Sequence, residues 1–209
     1  MKSFTTDGDF AQNYRFLIGA VQPRPIAVVA TKNEDGSNNL APFSFFNGFS
    51  AKPFIIGFAP LIRTSTGQKK DTLINIEREK EFVVNFVTEA NADQINLAST
   101  ELAYGEDEFE YTNLTPVQSD LVKACRLKES PIHFECKLRD IVSYGDQPGA
   151  GTLITGEVLK IHADESILSD TGRILTSAYK PMGRGAGNDW YSISGILEKE
   201  RLTKAQIQK

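Results

Sequence analysis

The sequence predicts a mainly β domain, a mostly antiparallel barrel with helical insertions. Three observations carry that expectation. Runs of β-branched and aromatic residues recur at strand length, an Asp-Gly turn joins the first two, and helical patterns fall between groups of strands. A doubly wound parallel sheet needs strict β-α-β-α alternation, which the chain does not follow.

The strands follow in order. Arg24-Pro25-Ile26-Ala27-Val28-Val29-Ala30 is the first, and Asp35-Gly36 after it suits a hairpin because glycine accepts positive φ without penalty. The returning arm, 38–46, is rich in aromatic residues, and Pro53-Phe54-Ile55-Ile56-Gly57-Phe58 and Glu81-Phe82-Val83-Val84-Asn85-Phe86-Val87 are further strands. The clearest alternation sets Ile132, Phe134, Cys136 and Leu138 against His133, Glu135, Lys137 and Arg139, one face buried and the other wet. A strand over 152–162 carries Gly156 as a bulge or a point of close approach, and 190–194 adds a short last strand. Helices are predicted over 72–80 and 93–102, over a segment opened by Pro116 with Val117, Leu121 and Ala124 on one face, and over 166–179.

Composition bounds the function. Hydrophobic residues make up 40% and charged residues 24%, which excludes collagen-like, disordered and disulfide-scaffold classes. A net charge of −4 lacks the basic surface that a nucleic acid backbone needs. No apolar run reaches the length of a membrane span, and the first thirteen residues lack the hydrophobic core of a signal peptide, so the chain reads as soluble and cytoplasmic. Residues 1–209 read as one domain, with 198–209 as a charged tail or an arm on a partner subunit. Cys125 and Cys136 are too far apart for a Cys-x-x-Cys motif and read as buried free thiols. His133 and His162 lack a second ligand at helical spacing, so no metal site is visible, and both read as surface residues. The acidic knot Glu106-Asp107-Glu108 with Glu110 reads as a solvated loop.

Nucleophile-elbow, phosphate-loop and His-Glu-x-x-His motifs are missing. Gly183-x-Gly185-x-Gly187 lacks dinucleotide-loop spacing and reads as a flexible loop after a helical segment, with Arg184 in reach of an anionic group. No catalytic side chain is predicted, so hard chemistry falls to a bound cofactor. Two clusters point to where it would sit. Lys69-Lys70-Asp71-Thr72 opens a helix that Asp71 or Thr72 can cap, and with Arg63 upstream it makes a phosphate seat. The same residues also fit an ordinary capped surface helix. Asn39-Leu40-Ala41-Pro42-Phe43-Ser44-Phe45-Phe46-Asn47 offers backbone amides and an aromatic wall to a flat, polar-edged ring, or plain core packing.

These segments, with Pro23-Arg24-Pro25-Ile26-Ala27, Lys70-Asp71-Thr72-Leu73-x-Asn75-Ile76 and Glu81-Phe82-Val83-Val84-Asn85, resemble in order and spacing the flavin reductase-like family of FMN-binding split barrels. Gly156-Glu157-Val158 and Gly183-Arg184-Gly185 resemble two later family motifs, and the likeness runs from about Tyr14 to Tyr191. The resemblance implies a split β-barrel homodimer holding FMN, with FAD as a possible replacement, near the subunit interface. It implies that Lys70, Asp71 and Thr72 seat the flavin phosphate with Arg63 assisting. Ser44, Phe45, Phe46 and Asn47 then line the ribityl chain and ring, and Arg24 and Pro25 of the Arg-Pro motif lie nearby. The implied chemistry is hydride transfer from NAD(P)H to flavin N5 and onward to a free flavin or another acceptor. One position departs: Gly151 stands where many family reductases carry a histidine associated with the nicotinamide. That departure favours two rival readings, a flavoredoxin-like carrier that trades electrons with a redox protein partner and a flavin-binding protein without a redox role.

Overall fold

The computed structural model describes residues 1–7, 9–193, 195–201 and 203. Twelve strands are present among the described residues: β1 (Arg24–Pro25), β2 (Ala27–Lys32), β3 (Asn38–Phe43), β4 (Phe46–Ala51), β5 (Phe54–Phe58), β6 (Glu81–Phe86), β7 (Pro116–Val117), β8 (Arg126–Leu127), β9 (Ile132–Ser143), β10 (Thr152–Ala163), β11 (Met182–Arg184) and β12 (Trp190–Ser192). Helices are α1 (Phe10–Ala20), α2 (Asp71–Glu79), α3 (Ala92–Leu97), α4 (Phe109–Thr112) and α5 (Thr176–Tyr179), with one 3₁₀ turn at Glu165–Ile167. Seven strands form one sheet in the order β3-β2-β6-β9-β10-β5-β4, while β1-β11-β12 and β7-β8 form two small ones. Every strand pairing described is antiparallel, as expected.

The central strands are buried on both faces, which is why β2 reads as a continuous apolar run. Val28 and Ala30 enter one core with Leu40, Val83, Ile95 and Leu127. Ala27 and Val29 enter the other with Phe43, Phe58, Phe82 and Ile154, and α2 adds Leu73 and Ile76 to it. Gly156 lies at a register shift between β9 and β10, and a Cβ there would stand 2.4 Å from the Phe82 ring, so the expected close approach is real. The turn after β2 holds Gly36 at φ +87°.

Several expectations are corrected. The expected helix opened by Pro116 is instead strand β7, followed by irregular chain, because Glu135 accepts from the Asp120 and Leu121 amides and Glu81 from that of Lys123. The same loop covers Glu135, and Asn85 of β6 bonds His133, so the polar face of β9 is buried at its start rather than wet. Segment 166–179 is a 3₁₀ turn and the short α5, separated by a turn with Gly172 at φ +77°. Helix α3 stops at Leu97. The first strand breaks at Ile26 into β1 and β2, and the arm 38–46 bends at Ser44 and Phe45. Gly183 and Arg184 of the expected loop lie within β11, and the loop begins only at Gly185. Helix α1 carries no counterpart among the expected elements; Asp9 caps it by accepting from the Gln12 amide at 2.8 Å. Residues 202 and 204–209 of the expected tail, and Ser194 of the last strand, lie outside the described residues.

Gly156→Ala should destabilise the protein by about 1–3 kcal/mol, because the new methyl group must displace Phe82 in a filled core. A urea unfolding curve superimposable on that of the wild type would refute this packing constraint.

Candidate functional site

A cleft of about 250 Å³ opens at the rim of the barrel. The end of β3 and its bend supply Phe43, Ser44 and Phe45; the segment after β5 supplies Leu61 and Arg63; the start of α2 supplies Lys70, Asp71 and Thr72. Tyr14 of α1, the turn Ser99-Thr100-Glu101 after α3, and Glu108 complete the wall.

Helix α2 begins without a side-chain cap, which corrects the expectation that Asp71 or Thr72 would cap it. Asp71 instead pairs with Arg63 at 3.0 Å, and Thr72 accepts a hydrogen from Asn39 at 3.0 Å. The amides of Asp71 and Thr72 have no acceptor within the helix, so the positive end of its dipole is left uncovered toward the cleft. Arg63 is 11% exposed, and its Nε is buried without a hydrogen bond, with Glu101 Oε1 at 3.4 Å as its nearest anionic partner. The carbonyl of Lys70 accepts from the Leu73 and Ile74 amides, while its ammonium makes no hydrogen bond or ion pair among the described residues. Burial, and then the charge of Arg63, lowers its pKa.

The acidic knot is solvated only in part: Glu106 and Glu110 are exposed as expected, while Asp107 and Glu108 turn inward. Asp107 accepts from the Asn38 amide at 3.1 Å, and Glu108, 8% exposed, accepts from the Leu40 amide at 2.7 Å. These bonds dock the loop on the edge strand β3. Burial pushes the Glu108 carboxyl up to about 7, and Asp107 and Asp71 add to the shift against the Leu40 hydrogen bond.

Of the residues singled out by sequence, Ser44, Phe45, Arg63, Lys70, Asp71 and Thr72 line the cleft. Phe46 and Asn47 do not. Successive strand residues face opposite ways, so Phe46 packs edge-on against Phe86 at 6.0 Å, while Asn47 is exposed and accepts from the Gly48 amide. Pro25 is exposed opposite Gly183. Arg24 is 5% exposed and acts as a clamp: it donates to the Ile18, Val21 and Gly185 carbonyls at 2.7–2.8 Å and to Ser44 Oγ at 3.2 Å. It meets the cleft through Ser44 and through the Phe45 ring, whose centroid lies 5.8 Å from its guanidinium carbon. Arg184 lies over Trp190 beside an adjoining hollow that shares Pro42, Ser44 and Ser99 with the cleft. Tyr14, Ser99, Thr100 and Glu101 carry no local pattern that marks them; the order of the fold brings them in.

Neither histidine lines the cleft, and neither is the surface residue expected. His133 Nδ1 bonds Asn85 Oδ1 at 2.8 Å, and His162 Nε2 bonds Glu135 Oε1 at 2.6 Å. Asp120, Glu135 and His162 have ligand-type atoms within 4.8 Å of one another, but Lys160 already sits on Asp120 and two amides occupy Glu135. Both thiols are free and buried, and burial raises Cys125 to about 11 and Cys136 further.

A flavin reductase like domain matches residues 20–181. An uncharacterized protein of Halalkalibacterium halodurans is 40% identical over 197 residues, 93% of each chain. Nitrilotriacetate monooxygenase component B from Bacillus cereus superposes with a TM-score of 0.90 at 31% identity, covering 95% of this chain and 98% of that one. A Shewanella frigidimarina protein assigned as a flavin reductase with a split barrel domain superposes with a TM-score of 0.81 at 19% identity, covering 97% and 100%, and shows the same fold. Among the described residues, no helix is long and apolar enough to cross a membrane.

Burial sets two opposed pH dependences. Glu108 titrates near 7 when folded and near 4.5 when unfolded, so the folded state keeps a proton that the unfolded state has lost. Its contribution to stability therefore falls by about 3 kcal/mol as pH rises across that window. His133 is lowered to about 4, chiefly by burial and next by the charge of Arg126, so its contribution falls as pH drops below 6.5. Glu108→Gln should remove the first slope and unmask the second, and the variant's stability relative to wild type should rise from pH 5 to pH 7. Urea unfolding at both pH values checks this, and an unchanged difference would contradict the assignment.

Proposed function

The chain belongs to the flavin reductase-like domain family, and from that membership we propose that its cleft holds FMN and that the protein is an NAD(P)H-dependent flavin oxidoreductase. One observation carries the reading. The unpaired Lys70 ammonium, the Arg63 Nε without a hydrogen bond, and the uncapped amides of Asp71 and Thr72 converge in a cleft with an aromatic wall. Buried donors without partners are costly, and a phosphate dianion satisfies all of them. The residues present therefore fit the group.

Lys70, Arg63 and the first turn of α2 hold the phosphate as charge and as fixed dipole. Phe45, Phe43 and Tyr14 give a ring an apolar wall, and the Ser44 and Ser99 hydroxyls give it a polar edge. Asp71 holds Arg63 in place through its terminal nitrogen and leaves Nε for the ligand. The bound flavin supplies hydride acceptance at N5 and delivery to a second flavin or another acceptor, so no side chain here is required as a base. FAD, whose phosphates form a pyrophosphate diester with one charge each rather than a terminal dianion, is the alternative occupant. Phe16 and Leu17 on α1 and Leu159 and Ile161 on β10 are bare in one chain, which supports a homodimer. The likeness to a monooxygenase component supports a function alongside a second protein.

A second reading, an FMN electron carrier reduced by a protein partner, is favoured by Gly151. It bridges to Leu61 of the cleft wall, and no imidazole lines the cleft among the described residues.

Bleaching of the flavin spectrum by NADH or NADPH in an anaerobic cuvette is the expected result. A spectrum that persists with both nucleotides, and bleaches with a reduced redox protein, would replace the first reading by the second. Lys70→Ala should weaken FMN binding by about 10- to 150-fold, the worth of a charge-assisted contact. Phe45→Ala should alter the bound flavin's absorbance. Unchanged titrations would place the flavin elsewhere.

A further inference from the structure

A row of buried polar side chains runs beneath α2 and ends at the cleft. Asn33 starts it, donating through Nδ2 to the Asn38 carbonyl at 3.0 Å, so its Oδ1 is left as an acceptor. Asn75 donates to that oxygen at 2.8 Å and to Thr31 Oγ1 at 3.0 Å, while its own Oδ1 takes a hydrogen from Arg78, which can only donate. The far end of the row is thereby fixed in direction. Asn39, 3% exposed, continues it. Its Nδ2 lies 3.0 Å from Thr31 Oγ1 and 3.0 Å from Thr72 Oγ1, and it donates one hydrogen to each.

Thr72, 1% exposed, stands in the first turn of α2 and lines the cleft. Its oxygen accepts from Asn39, which leaves its single hydroxyl hydrogen to donate. Neither the hydrogen bonds within α2 nor the row beneath it uses that hydrogen. We infer that Asn39 is a positioning residue: by donating to Thr72 Oγ1 it turns the Thr72 hydroxyl into a donor for the phosphate of the bound flavin. This rests on the flavin reading above and adds to it a source of discrimination between phosphorylated flavin and riboflavin. Lys70 and Arg63 supply charge, and Thr72 supplies a neutral donor whose direction is set from behind.

A double-mutant cycle tests it, with FMN and riboflavin titrated against wild type, Asn39→Ala, Thr72→Val and the double variant. Thr72→Val should weaken FMN by about 10-fold or more, and Asn39→Ala by about 3- to 10-fold, the range of one hydrogen bond. Riboflavin binding should stay within about twofold in every variant, because it lacks the group concerned. The double variant should bind FMN no more weakly than Thr72→Val alone. Independent effects that multiply, or equal losses for FMN and riboflavin, would overturn the role of Asn39 while leaving the flavin site standing. Wild-type protein that does not prefer FMN to riboflavin would instead remove the phosphate seat itself. Should Asn39→Ala bind neither ligand, the near-isosteric Asn39→Leu takes its place in the cycle, because it removes the amide donor without adding a charge or an acceptor for the Thr72 hydroxyl.

Discussion

The double-sided burial of β2 and β6 is the constraint on which the rest of the molecule depends. A strand with both faces covered needs an apolar layer on each, and the chain provides two cores that share these strands. One layer is closed by α2, whose Leu73 and Ile76 enter it, and the other by the segments from α3 to β8. Because Leu73 and Ile76 lie within the first two turns of α2, burying them brings the start of that helix to the barrel rim. The cleft is a by-product of that packing, and the helix start comes to it without a cap.

The electrostatics of the cleft follow from the same arrangement. Asp71, the first helical residue and not the cap, accepts from Arg63 Nη2 and orients the guanidinium, whose buried Nε is left without a hydrogen bond. Glu108 comes from a loop docked on β3, and its burial lifts its pKa to about 7, so the acid beside the seat carries less negative charge at neutral pH where a phosphate would add two. Arg24 plays no part in that charge balance; its donors are spent on carbonyls that tie the end of α1 and the end of β11 to Ser44.

Local chemistry made the hairpin at Gly36, the close approach at Gly156, the strands β5, β6 and β10, and helix α2 legible. Each rests on a short-range rule: positive φ, the absence of a Cβ, or apolar spacing within one element. The failures have an equally definite cause. Residues 116–124 have helical spacing, but Glu81 and Glu135, distant in sequence, take the amides a helix would use. Histidines on an alternating strand look wet until side chains of a neighbouring strand bond them.

By itself, the sequence determined an antiparallel β architecture and a cluster of Lys70, Asp71, Thr72, Arg63, Ser44 and Phe45 within one site, because short segments with strong periodicity and a shared family pattern carry that information. Only the tertiary structure decided that Phe46, Asn47 and Pro25 turn away from the cleft, that Arg24 is a clamp, that Glu108 belongs to the wall, and that Asn39 reaches Thr72. The physical reason is that these outcomes depend on which way a strand faces after a bend, and on contacts between segments tens of residues apart. Periodicity within a single element does not encode either.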